Sequence, residues 1–112
     1  MSNTTPLRLV SADVELTLST KKVIAGRLEH SPSARSLVLF DPEELDPILL
    51  SVAAGEAPLE TAALDADHVL LRGWTEHRGV PEQLHEDGLV VLTGEEVQIG
   101  LFRLRAAVAR VR

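Results

Sequence analysis

The chain has 112 residues, 45% of them hydrophobic but only 3% aromatic, no cysteine, and a net charge of −6. That length suits one domain with one core, built here of Leu, Val, Ile and Ala. The lack of cysteine excludes disulfides, thiolate metal sites and cysteine nucleophiles, and favours a reducing, cytoplasmic setting.

Residues 1–6 read as a flexible polar leader with neither a basic nor an apolar signal region. No apolar stretch approaches the roughly 20 residues of a membrane helix. Val14, Leu16 and Leu18 alternate with Glu15, Thr17 and Ser19, the period-two pattern of a half-buried strand. Ser19 to Lys22 turns the chain. Val23 to Glu29 predicts a second strand, with Gly26 marking a bulge or a close approach of backbones. His30 to Ala34 is a turn cluster, and Ser36 to Phe40 predicts a buried third strand. The three form an antiparallel meander.

Asp41-Pro42-Glu43-Glu44 begins like a helix, but Asp46-Pro47 limits it to one turn. Ile48 to Val52 predicts a fourth strand, residues 53–67 a loop with room for a short helix, and His68 to Trp74 another strand. Pro81 to Asp87 predicts a short helix, with Pro near its start and Gly88 beyond its end. Leu89 to Leu92 and Val97 to Phe102 flank Thr93-Gly94-Glu95-Glu96 in the pattern of a hairpin. Residues 101–111 fit two periods: Leu101, Leu104, Val108 and Val111 lie at helical spacing, while Leu104, Ala106 and Val108 alternate. A strand is favoured, because a terminal strand would close the sheet. The expected fold is a single mainly β domain over 1–112. It is a small antiparallel barrel or curled sheet of SH3- or Sm-like type around one aliphatic interior, with one short helix near 81–87.

Two segments resemble known families. Residues 13–41 resemble the first half of an Sm-like small β-barrel, through Val14, Leu16 and Leu18, then Gly26-Arg27-Leu28, then Leu37-Val38-Leu39-Phe40-Asp41. Val69-Leu70-Leu71-Arg72-Gly73 is similar to the second motif of that family. The resemblance implies nucleotide contact by an Asp, an Asn and an Arg. Here Ser33 and Ser36 stand at the first two positions, and only Arg72 carries over. Residues 69–111 resemble an uncharacterised family of small bacterial and fungal proteins. An apolar strand is followed there by an aromatic-Ser/Thr-Glu-x-x-Gly segment, a short helix and a hairpin. The segment here is Trp74-Thr75-Glu76-His77-Arg78-Gly79, then Leu84 and Gly88, then Gly100 to Val111. That likeness implies a fold and no mechanism. Arg72-Gly73 stands where the family usually has an acid.

Charge is segregated along the chain. From Ser36 to Leu71 there is no Lys or Arg, while Asp41, Glu43, Glu44, Asp46, Glu56, Glu60, Asp65 and Asp67 fall within it. The last ten residues hold Arg103, Arg105, Arg110 and Arg112, so opposite patches are available to meet within one chain or between copies. His77 and His85, with Glu76, Glu82, Glu86 and Asp87, are the densest set of candidate metal ligands or acid/base groups. They lack recognised zinc spacing. No nucleophile elbow or phosphate loop occurs, and Ser51 lies in an apolar run with no obvious base.

The leading expectation is a non-enzymatic protein-interaction module that self-associates, needing no cofactor. Its candidate binding residues are Arg72, Trp74, Glu76, His77 and Arg78, and its candidate interface residues are Arg103, Arg105, Arg110 and Arg112. The alternatives are nucleic-acid binding by an Sm-like barrel, which the acidic charge disfavours, and a metal or acid/base site at Glu76, His77 and His85.

Overall fold

The described residues are 7–53 and 55–112 of a computed structural model; the expected leader, residues 1–6, lies outside them. Strands β1 (Arg8–Thr17), β2 (Val23–Ser31) and β3 (Ser36–Phe40) form the expected meander. Alternation explains its buried face: Val14 and Leu16 on β1, Ile24 and Leu28 on β2, and Leu37 and Leu39 on β3 all point inward. Short β4 (Ile48–Leu49) completes a sheet of order β1-β2-β3-β4.

The second sheet has the order β5-β7-β6, from β5 (His68–Leu71), β6 (Val90–Ile99) and β7 (Leu104–Val111). Residues 101–111 thus contain the favoured strand. It lies in the middle of a sheet, however, and does not close one. Among the described residues two α-helices accompany the sheets: α1 (Pro58–Ala62) in the expected loop, and α2 (Val80–Glu86) where the Pro and Gly signals put it. Gly88 closes α2 with a paired cap. Its N–H donates to His85 C=O at 3.0 Å, and Leu89 N–H donates to Leu84 C=O at 3.0 Å.

The strands do not close into a barrel. On one side the sheets are joined through the chain after β4. Leu50 N–H donates to Leu37 C=O at 2.9 Å, and one step later Val52 N–H donates to Leu70 C=O at 2.7 Å. Between them Ser51 bridges Leu71, and its buried hydroxyl accepts the Leu37 N–H at 2.9 Å. Ser51 is therefore part of the sheet junction. On the other side, α2 lies between the free edges of β1 and β6. Gln83 bonds to the β1 backbone, and His85 Nδ1 accepts the Leu92 N–H of β6 at 3.2 Å. Residues two apart on a helix point to nearly opposite sides, so one short helix reaches both edges.

The interior is divided in two. Leu28, Leu39, Leu71, Leu84, Val90 and Val111 belong to a cluster between the sheets, with α2 packed over it. Val52, Ala57, Leu70, Ile99, Ala106 and Val108 form a second cluster on the outer face of the β5-β7-β6 sheet, with Leu64 and Trp74 against it. β5 and β7 are buried on both faces. That is why Val69-Leu70-Leu71 reads as a continuous apolar run.

The expected hairpin at Thr93-Gly94-Glu95-Glu96 is instead a bulge inside β6. The register passes from Leu92 opposite Ala109 to Glu96 opposite Ala107, so two extra residues are absorbed. Gly94, at φ +88°, takes the left-handed turn, and the Thr93 hydroxyl donates to Val108 C=O at 3.1 Å. The hairpin turn lies later, at residues 100–103, closed by Arg103 N–H donating to Gly100 C=O at 3.2 Å. Leu101 and Phe102, expected in a strand, are at its tip.

Candidate functional site

The corner at residues 72–79 is built from the end of β5, a 3-10 turn at Thr75–His77 and the start of α2. Its candidate residues do not face one concavity. Arg72 turns back on the fold: its guanidinium pairs with Glu56, and its Nε donates to Ser51 C=O at 3.2 Å. Trp74 is half-buried against the outer apolar cluster. Glu76 is exposed, and its carbonyl accepts the Ser19 N–H at 2.9 Å. His77 is buried, with Nδ1 unpartnered and Nε2 3.9 Å from Glu76. Burial pushes its imidazole below the ordinary range, with Glu76 opposing and Arg72 reinforcing the shift. Arg78 is exposed and makes no ion pair with a described residue.

His85 is committed to the β6 edge and does not join Glu76 and His77. Among the described residues, the group of imidazole and carboxylate ligands that comes within 4.8 Å is a different one, Asp65, Asp67 and His68. Within it, His68 Nδ1 lies 2.7 Å from Asp67 Oδ1, and that contact is the main reason the Asp67 carboxyl sits below its usual range.

The four C-terminal arginines separate into two pairs. Arg103 and Arg105 stand at the β6–β7 tip. Arg110 lies opposite His68, and the carbonyl of Arg112 accepts from Arg8 at 3.3 Å. Strand geometry puts about 16 Å between Arg105 and Arg110, on opposite faces of β7.

Beside Arg103 and Arg105 stand two exposed large apolar side chains. Leu101 is 98% exposed and Phe102 is 88% exposed. Neither arginine makes an ion pair with a described residue. Sequence reasoning missed the apolar pair, because a run of Val, Gln, Ile, Gly, Leu and Phe reads as strand. The available signal was Gly100, which at φ +72° opens the turn.

A second exposed feature is a cleft of about 410 Å³ at the opposite sheet, under the loop joining β3 to β4. Its walls include Arg27 and Phe40, the guanidinium carbon lying 4.7 Å from the ring centroid. Asp41 anchors the loop by accepting the Ala25 N–H at 3.0 Å and the Glu43 N–H at 2.8 Å. Those two bonds hold its carboxyl below the usual range. Glu44 pairs with Lys22, whereas Asp46 makes no ion pair with a described residue. Leu45 projects fully into solvent at the rim.

Among the described residues, no helix is long and apolar enough to cross a membrane. No protein-family model, curated protein or solved structure matches the chain.

Proposed function

We propose that the protein is a non-enzymatic interaction module, cytoplasmic and self-associating, which engages its partner through the tip of the β6–β7 hairpin. The carrying observation is the near-complete exposure of Leu101 and Phe102 on a turn that leads into Arg103 and Arg105, neither of which makes an ion pair with a described residue. Exposed apolar area costs free energy that a covering partner recovers, at about 25 cal/mol per Å². Phe and Arg are also among the side chains enriched at protein interfaces relative to the rest of the surface. The engagement of Arg72 with Glu56, and of Trp74 with the outer apolar cluster, supports placing the contact at the tip over the 72–78 corner. The cysteine-free composition supports the cytoplasmic setting.

Replacing Phe102 with a photo-crosslinking phenylalanine in living cells tests the proposal. Irradiation should give discrete protein adducts, reduced by Arg105→Glu. The same probe at Leu59, which is also exposed but lies on α1, should give none. Identical patterns at the two positions, or no adduct at 102, would overturn it.

A further inference from the structure

The hairpin tip and the cleft under the β3–β4 loop have matched chemistry. At the tip, an apolar centre of Leu101 and Phe102 is bordered by Arg103 and Arg105. At the cleft, Leu45 and the Arg27-stacked Phe40 are bordered by Glu44, which pairs with Lys22, and by Asp46, which makes no ion pair with a described residue. The cleft volume of about 410 Å³ falls in the range that admits a large side chain. Within one chain the two do not meet, since Leu101 at 98% and Leu45 at 102% exposure touch almost nothing. Only a second molecule brings them together.

Building on the hairpin-tip reading above, we propose that the partner is another copy of this chain. Phe102 of one copy seats in the β3–β4 cleft of the next, with Arg105 against Asp46. A protein surface suits this tip better than an anionic membrane. The chain carries −6 overall, and two apolar side chains with two arginines make a small anchor for a lipid surface. The contact joins two different patches, so it is heterologous, and it grows into chains or closes as a ring according to the rotation between copies.

Salt gives the first distinguishing readout. Molecules of charge −6 held by apolar contact alone repel one another, and their association strengthens when salt screens that repulsion. That repulsion acts whatever the contact, so the Arg105–Asp46 pair is read from the difference between the wild type and charge-reversed variants, which narrows as salt rises.

The experiment is sedimentation analysis of the full chain up to about 1 mM, the weak end of specific association. A tip variant carries Phe102→Ser and Arg105→Glu; a cleft variant carries Leu45→Ser and Asp46→Lys. Each alone should associate at least roughly tenfold more weakly than the wild type. An equimolar mixture should recover a discrete one-to-one complex, because one chain keeps an intact tip and the other an intact cleft. A misfolded variant could not complement in this way. A wild type that stays monomeric, or a difference between wild type and variants that salt does not narrow, overturns the proposal. If the tip variant loses association but the cleft variant keeps it, the cleft assignment falls and the hairpin reading stands. Indifference to both variants overturns the two together. Co-sedimentation of monomeric protein with phosphatidylserine vesicles, lost in the tip variant, would assign the tip to lipid and overturn the proposal.

Discussion

The side-chain amide of Gln83 makes both hydrogen bonds that a neighbouring strand would make with Thr17. Its Oε1 accepts the Thr17 N–H at 2.9 Å, and its Nε2 donates to the Thr17 carbonyl at 2.7 Å. Thr17 ends the β1 edge, so α2 satisfies backbone groups that would otherwise invite another strand. Removing the amide in Gln83→Ala should cost about 1–2 kcal/mol. Gln83→Glu keeps the acceptor but sets a carboxylate against the Thr17 carbonyl, and should rescue none of that loss. Urea unfolding of the three proteins checks the ranking.

The same helix depends on Leu84, which is fully buried in the cluster between the sheets. Leu84→Ala leaves a cavity there and should lower stability by about 2–5 kcal/mol. By loosening α2 it should also speed amide exchange at Thr17 and Leu92, the two edge positions that the helix covers. Exchange measured by NMR separates this local opening from a uniform loss of stability.

Two glycines are required for different reasons, and alanine substitution separates them. A Cβ at Gly26 would stand 2.0 Å from the Phe40 carbonyl oxygen, a clash between backbones that no rotamer relieves. Gly26→Ala should cost roughly 3 kcal/mol or more. Gly94 has open space around it, but its φ is +88°. Gly94→Ala should therefore cost only about 1 kcal/mol, through the backbone alone. Thermal melts of both variants test the contrast.

Acid should weaken the fold in a window set by two histidines. Burial holds His30 and His77 below the ordinary value of 6.5. For His30, nearby Arg8 adds to the effect and Asp67 opposes it. Just below that value the unfolded chain binds more protons than the folded one. Stability is thus complete above 6.5 and declines as the pH falls through it toward the lower folded values. Urea midpoints should be lower at about pH 5 than at about pH 7.5, with a smaller drop in His77→Gln.

The hairpin tip should behave differently from all of these. Phe102→Ser with Arg105→Glu alters only exposed side chains, and stability should change by no more than about 0.5 kcal/mol. An unchanged melting temperature beside weakened association would separate a contact residue from a structural one.

Much of the meander was legible in Val14, Leu16 and Leu18, because burial of one sheet face enforces a period of two that local reading detects. Gly26 was legible for a related reason, since a glycine inside a strand pattern marks crowding that only it tolerates. Gly88 announced the end of α2 because the left-handed cap is a local requirement. Thr93-Gly94-Glu95-Glu96 misled because its letters suit a turn and a bulge equally. The choice went to the bulge through Thr93 bonding across to β7. At the candidate corner the letters named Arg72, Trp74 and His77, but not that Arg72 pairs with Glu56 or that Trp74 packs on the outer apolar cluster, which are contacts across the fold.

Local order thus came from backbone preference and from the spacing of apolar side chains, both written within a few neighbouring residues. The closure of the molecule did not. Gln83 finds Thr17 across 66 positions, and Leu101 and Phe102 are left in water only because β6 runs through its bulge and turns later. Such pairings are fixed by which edges remain unpaired after the sheets have packed. That is a property of the assembled fold, with no counterpart in any short stretch of chain.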